Sequence, residues 1–448
     1  MRTYLRHLFE KAQVSIWTAP LFYTCLIFAL ARYTLWLDEM GLRQMLVASD
    51  WFQISSVDSA RALLSTIGTA VLSLAGISFS SILVSVTLAS QQFGPRLLRN
   101  FLKDHTSQRT LGVLLATFLY CLYIQREIRD LESELYVPQL SVLTALILAV
   151  VCLGFFIAFV QSILTQIQGE HVVESAFHQL KGSIEAVFPD EDVEQTQQRP
   201  DPENEEGWDI RAGQLGYVQA ISVAKLVEIA TENDLELVTT VRSGHFVTPA
   251  QPVIRVTKGA EADELSEKTL EALQKQFLCG PVRTPEQDYE YGFRQLVEVA
   301  CRALSPGIND PFTAMDCLEY LGAGLQLAFA RPLPGSIHRD DEGTVRLTSW
   351  ITDHQRLVDG AFDQIRQAGR DKCDVSSRLL EVLAKTARIS NQADQQFALL
   401  RQAALVAANT PPALFNEHDR QAIRVRFEAV KAACDQLSAD DFEKLSSV

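Results

Sequence analysis

Hydrophobic residues are laid out along this chain in two regimes. Up to about residue 165 they come in long unbroken runs, and beyond it they recur every three or four positions or alternate over short stretches. A bilayer core about 30 Å thick is crossed by roughly 20 mostly apolar helical residues. Four runs meet that requirement, at about residues 14–37, 62–89, 110–125 and 137–164. The third is short by a few residues and ends in Tyr120 and Tyr123, which suit the aromatic belt at a membrane interface. The fourth stays uncharged through Gly169, more than one bilayer needs, so residues 166–188 are read as a juxtamembrane helix continuing it into water.

The second regime begins after a segment with a linker's composition. Residues 189–207 carry Pro189, Pro200 and Pro202 among Asp190, Glu191, Asp192, Glu194, Asp201, Glu203, Glu205 and Glu206. Residues 208–260 then read as a small α+β unit, with strands at 216–221, 235–241 and 252–257 and a helix capped by Ser222 and ending near Asn233. Residues 261–448 read as a helical domain, with helices near 262–278, 285–304, 312–329, 352–368, 375–408 (with a break) and 416–437. The predicted fold class is an α-helical membrane protein with four transmembrane helices in residues 1–165 and a cytoplasmic α+β domain, mostly helical.

Charge sharpens this division. Of 40 Lys+Arg and 55 Asp+Glu, residues 1–164 hold 12 and 10, and the remainder holds the other 28 and 45. Lys and Arg are retained on the cytoplasmic side of a membrane. Arg2, Arg6 and Lys11 precede the first span, and Arg96, Arg99, Lys103 and Arg109 lie between the second and third. The two other connections are acidic on balance, through Asp38, Glu39, Asp50 and Asp58, and through Glu127, Asp130, Glu132 and Glu134. The expected location is the bacterial inner membrane, with both termini and the acidic C-terminal part in the cytoplasm. Ala29-Leu30-Ala31 imitates a signal-peptide cleavage site, but the apolar run continues past it to Leu37, so the first run is read as a retained span. Arg32, its single charge, lies toward the outer end, where it either snorkels or attracts anions.

No ionisable residue stands near the middle of any span, which disfavours a proton- or ion-coupled transporter. An acidic chain without a basic face excludes nucleic acid as a partner. Eight cysteines without a CxxC pair exclude a disulfide scaffold. There is no GxSxG, HExxH, P-loop or dinucleotide fingerprint. The chain is therefore not expected to be an enzyme or to carry a cofactor or metal, although His171, Glu174 and His178 share a helix face.

The second span carries the candidate chemistry. Thr69, Ser73, Gly76, Ser80 and Thr87 fall on one helical stripe, which faces either a neighbouring helix or a water-lined path. After it, Gly94-Pro95 breaks the helix, and Arg96, Arg99 and Lys103 interleave with Leu97, Leu98, Phe101 and Leu102 as a basic amphipathic segment for the inner mouth or the lipid face. Farther on, Ser305-Pro306-Gly307 ends one helix and Asp310 caps the next, with Pro311 at its first position. That tight corner holds Arg302, Asn309 and Asp310.

Three ordered motifs carry a resemblance. Ala89-Ser90-Gln91 through Pro95-Arg96-Leu97-Leu98, the helix of Gln287-Asp288 through Gly292-Phe293-Arg294-Gln295-Leu296-Val297, and Ala303-Leu304-Ser305-Pro306 with Asn309-Asp310-Pro311 resemble the bacterial predicted membrane proteins of domain of unknown function 2254. The resemblance implies a multipass inner-membrane protein with a cytoplasmic C-terminal domain. It implies no activity and no catalytic residues. The residues themselves lead to two expectations: a homo-oligomeric, channel-like pore in the lipid bilayer with a cytoplasmic assembly or gating domain, or a membrane-anchored sensor or scaffold that binds a ligand or protein partner.

Overall fold

Four apolar helices build the first unit. The computed structural model describes residues 18–40, 56–93, 104–131, 134–166, 169–188, 206–259, 265–285, 287–409 and 415–445, and the chain divides into two units, Met1–His171 and Val172–Val448. In the first, α1 (Thr18–Glu39), α2 (Val57–Phe93), α3 (His105–Glu127) and α4 (Gln139–Gln166) are each long and apolar enough to cross a membrane. Two short antiparallel strands, β1 (Arg129–Leu131) and β2 (Glu134–Tyr136), join α3 to α4. Helices α2 and α3 reach beyond the runs read from hydropathy at both ends, and α1 and α4 at the C-terminal end only, because polar end turns continue an apolar helix without being apolar themselves.

The helix with the weakest hydrophobic signal is the central one. In α3, 67% of the spanning window is buried, against 22% in α4. A helix that faces its neighbours rather than lipid tolerates polar residues, and Ser107, Gln108, Thr110 and Thr117 are all buried there. Asp104 caps α3, accepting from the amides of Thr106 and Ser107. Gly68 of α2 faces α3, where a Cβ would make ordinary contact with Phe118 and Cys121 at 3.6 Å.

One end of this bundle is tied by polar contacts. Asp38, which the sequence reading counted among loop charges, lies in the last turn of α1 and is buried. Its carboxylate accepts from the amides of Leu140 and Ser141, both at 3.0 Å, and from the Ser141 hydroxyl at 2.8 Å. These are among the amides that the first turn of α4 leaves without helical partners. The Tyr120 hydroxyl donates to the Ser141 carbonyl at 2.9 Å and also meets the Thr34 hydroxyl at 3.1 Å. Beside them, Arg61 at the start of α2 donates to the Ile128 carbonyl at the end of α3, where a cation offsets the helix dipole. The C-terminal ends of α1 and α3 thus meet the N-terminal ends of α2 and α4, an up-down-up-down arrangement.

The second unit is a C-terminal α+β region dominated by helices. Helix α5 (Gly169–Val187) is followed by strands β3 (Trp208–Arg211) and β4 (Gly216–Ile221), helix α6 (Val223–Glu232), β5 (Glu236–Thr239), β6 (Phe246–Val247), β7 (Pro252–Lys258), helix α7 (Glu267–Gln274) and β8 (Phe277–Gly280). Then come α8 (Tyr289–Ala303), α9 (Pro311–Phe329), β9 (Ile337–Arg339), β10 (Val345–Thr348), α10 (His354–Ala368), α11 (Cys373–Ile389), α12 (Ala393–Ala408), α13 (Glu417–Ala433) and α14 (Ala439–Leu445). One sheet has the order β3-β7-β5-β10-β9, with only β5 and β10 parallel, and the other is β6-β4-β8. Cross-strand charges fix register in the first: Asp209 pairs with Arg255 and Glu236 with Lys258, in both cases directly opposite.

Two sequence expectations fail here for a common reason. The helix read over 262–278 is α7 followed by β8, because Phe277 and Cys279 pair with Ile221 and Val218. The boundary drawn at 260 does not divide the fold either, since β10 enters the five-stranded sheet with Leu347 opposite Leu237. Pairing partners roughly 60 and 110 residues away leave no trace in local periodicity. Helix α5, read as a continuation of the fourth span, is packed on α8 and α9, with Leu180 against Gly292 and Gly324. Most of the acidic linker, residues 189–205, lies outside the described residues.

Candidate functional site

Helix α2 has two opposed faces. Leu64, Ile67, Val71 and Ala75 are buried against the other helices. Thr69, Ser73, Gly76, Ser80 and Thr87 are all exposed, and at 100° per residue they centre on the side opposite that core. A Cβ at Gly76 would meet nothing within 4 Å. Among the described residues the stripe therefore packs against no other helix. Its hydroxyls are half used: those of Ser73 and Thr87 donate to the carbonyls of Thr69 and Leu83, both at 2.8 Å. Their acceptor lone pairs stay available for water or a facing helix. The basic segment of Arg96, Arg99 and Lys103 lies outside the described residues.

The corner at 302–310 is held by backbone and capping bonds. The Asp310 amide donates to the Ala303 carbonyl at 2.8 Å, and the Asp310 carboxylate accepts from the amide and hydroxyl of Thr313 at 3.2 and 2.6 Å. Asn309 is left-handed at φ 51°, a conformation that asparagine tolerates better than most residues. Its side-chain oxygen accepts from Lys372 at 2.7 Å. Arg302 supplies a carbonyl to the Ser305 hydroxyl at 2.6 Å. The three residues adjoin through the turn that connects α8 to α9.

A denser charged constellation escaped the sequence reading. Asp288 caps α8 through the Tyr291 amide and receives both Nε and Nη2 of Arg283, at 2.7 and 2.8 Å. Burial pushes its carboxyl up against the opposing pull of that guanidinium. Two residues on, Glu290 pairs with Arg242 and accepts from the Thr352 hydroxyl at 3.0 Å. The Trp350 ring has Arg242 and Arg356 at 5.8 and 5.4 Å, and the His245 ring edge-on at 4.7 Å. Gly244 at φ 92° brings the turn before His245 so close to the Arg283–Asp288 pair that a Cβ would overlap it. The signal present in the sequence is Asp288 and Glu290 at the head of an amphipathic helix, with Arg283 five residues before Asp288; Arg242 and Thr352 are brought to Glu290 only by the fold.

This constellation makes stability depend on pH. Burial, and next the neighbouring positive charge of Arg242, lower the His245 pKa from 6.5 to about 4, with Arg283 and Arg356 acting in the same direction and Glu290 against it. Between those two values the unfolded chain binds a proton that the folded chain does not, so stability falls as pH drops through this window. Wild type should lose about 2 kcal/mol more than His245→Gln between pH 7 and pH 4, a figure discounted for partial exposure. Denaturant titrations of both proteins at the two pH values measure the difference, and parallel losses would rule out His245 as the source.

Elsewhere in the second unit a cleft of about 440 Å³ is lined by Asp353, His354, Gln355, Asp394, Phe397 and Asp441. His354 bonds to Asp394 through Nδ1 at 2.5 Å, which holds the Asp394 carboxyl below its usual range. Of the triad weighed for metal, His178 and Glu174 are 3.9 Å apart on exposed side chains. Among the described residues no group of three or more His, Cys, Asp or Glu is placed to hold a metal ion.

Comparison with known proteins gives a consistent picture. A family profile described as "Predicted membrane protein (DUF2254)" matches residues 13–385. Uncharacterised proteins of Mycobacterium bovis and Mycobacterium tuberculosis are each 27% identical over 370 residues, covering 81% of this chain and 70% of the relative. No solved structure matches the chain.

Proposed function

The chain belongs to this family of predicted membrane proteins of unknown function, and from that premise we propose that it is a homo-oligomeric, channel-like protein in which α2 borders a passive path. The observation that carries the reading is the placement of Thr69, Ser73, Gly76, Ser80 and Thr87 opposite the packed face of α2. Large side chains suited to lipid tails, such as Phe22, Val150, Ile157 and Leu164, are exposed elsewhere on this unit, and Leu72, Phe79, Leu83 and Val84 flank the stripe on α2 itself. A face of small and hydroxylated residues suits another helix or water instead. Four spans enclose no sizeable path alone, so copies meet around α2, with Arg96, Arg99 and Lys103 at the inner mouth. The C-terminal unit lies in the cytoplasm on this reading, where it assembles or gates the pore. The protein is non-enzymatic and needs no cofactor.

Planar-bilayer recording of the purified protein tests this directly. Discrete currents are expected, and Ser73→Leu, which puts a bulky group on the open face without touching the core, should reduce conductance at least tenfold. A folded Ser73→Leu protein that conducts like wild type would remove α2 from the path. The cleft at His354 favours a second reading, a membrane-anchored sensor whose C-terminal unit binds a small ligand. Silent bilayers together with calorimetric binding of a cationic ligand, abolished by Asp394→Asn, would support it over the first.

A further inference from the structure

On the outer surface of the four-helix unit, between α1 and α3, runs an apolar groove of about 320 Å³. This lies at the low end of the ~300–1,000 Å³ range of small-molecule sites. Ala31 and Ala116, both fully buried, form its floor, and Phe28, Leu119 and Leu122, each about half exposed, form its walls. Thr24, Phe28 and Arg32 follow one another at intervals of four along α1, so the groove and the arginine share one helix face. At its end the Tyr123 hydroxyl accepts from Arg32 Nη1 at 3.4 Å, and the Tyr123 ring lies 5.0 Å from that of Phe28.

The depth of Arg32 can be read from its surroundings. It precedes the end of α1 at Glu39 by seven residues, roughly 10 Å along the axis. Tyr33 and Trp36, exposed and stacked at 5.9 Å, lie beside it and toward that end, as interfacial aromatics do. The guanidinium therefore sits at the boundary between headgroups and tails. Among the described residues Tyr123 is its one hydrogen-bond partner, which leaves most of its five N–H donors to the membrane. From this charge the groove leads toward Thr24 and the bilayer centre, the direction in which an acyl chain leaves its phosphate.

We propose that this groove is a specific site for one acyl chain of an anionic phospholipid whose phosphate rests on Arg32. Arg suits phosphate because its planar fork bonds two oxygens at once. The small floor residues let the chain lie against the helices, and Phe28 and Tyr123 close its headgroup end. The site stands apart from the α2 stripe and from the proposed path.

Native mass spectrometry of the detergent-solubilised full chain, titrated with phosphatidylglycerol or phosphatidylcholine, tests the assignment. One phosphatidylglycerol per chain is expected to be retained at least fivefold more strongly than phosphatidylcholine. Arg32→Gln should abolish that preference while thermal stability in lipid-free detergent stays unchanged. Thr24→Phe, which fills the groove and leaves the charge, should weaken phosphatidylglycerol binding about tenfold. Retention of phosphatidylglycerol by both variants as in wild type, or equal binding of the two lipids by wild type, would overturn the proposal.

Discussion

Asp38→Ala should destabilise the four-helix unit by about 3 kcal/mol, measured as thermal unfolding in a fixed detergent. The carboxylate is buried and takes three donors at once, the amides of Leu140 and Ser141 and the Ser141 hydroxyl. It is an N-cap for α4 supplied by α1. A cap on the helix's own chain contributes about 0.5–2 kcal/mol, and each buried donor left without a partner costs about 1–3 kcal/mol. The alanine variant incurs both, and it also loosens the Thr34–Tyr120–Ser141 network beside it. Asp38→Asn keeps a carbonyl oxygen that can accept from one amide and should recover about half of the loss. An alanine variant that unfolds with wild type would show that α4 is capped by some other group.

Little in the sequence announces that role. An acidic residue at the end of an apolar run looks like the start of a loop, and Asp38 differs from Glu39 only in which face of the last turn it occupies. The spans themselves were legible because hydrophobic length alone specifies them. The corner at Asp310 was legible because capping chemistry is local, and Thr313 stands three residues away. The stripe on α2 was legible as a stripe, yet periodicity fixes the relative phase of two faces and does not say which one the chain itself covers. Leu64 and Val71 are no more hydrophobic than Leu72 and Leu83, but the first two are buried and the others exposed. The strands β8 and β10 and the constellation around Glu290 were not legible, since each joins residues remote in sequence.

Gly292 of the second motif and Gly324 of α9 have a physical role of the same long-range kind, and it gives the sharpest stability test in the C-terminal unit. Leu180 of α5 is fully buried and lies between Gly292 of α8 and Gly324 of α9. A Cβ at Gly324 would stand 2.6 Å from Leu180 Cδ2, an atom at the end of a side chain; one at Gly292 would stand 2.8 Å from Leu180 Cα, which is backbone. Leu180→Ala should cost about 3 kcal/mol through the cavity it leaves. Gly292→Ala and Gly324→Ala should each cost about 2 kcal/mol by overpacking, even though alanine is the better helix former. The two then part in the Leu180→Ala background. There the Gly324 methyl enters space that the leucine has vacated and should be neutral or stabilising, whereas the Gly292 methyl still meets the backbone of α5 and should remain destabilising. Denaturant unfolding of the two double-mutant cycles measures the couplings. Equal coupling of both glycines to Leu180 would mean that α5 shifts bodily to relieve either clash, and that the α5–α8 spacing is not set by Gly292.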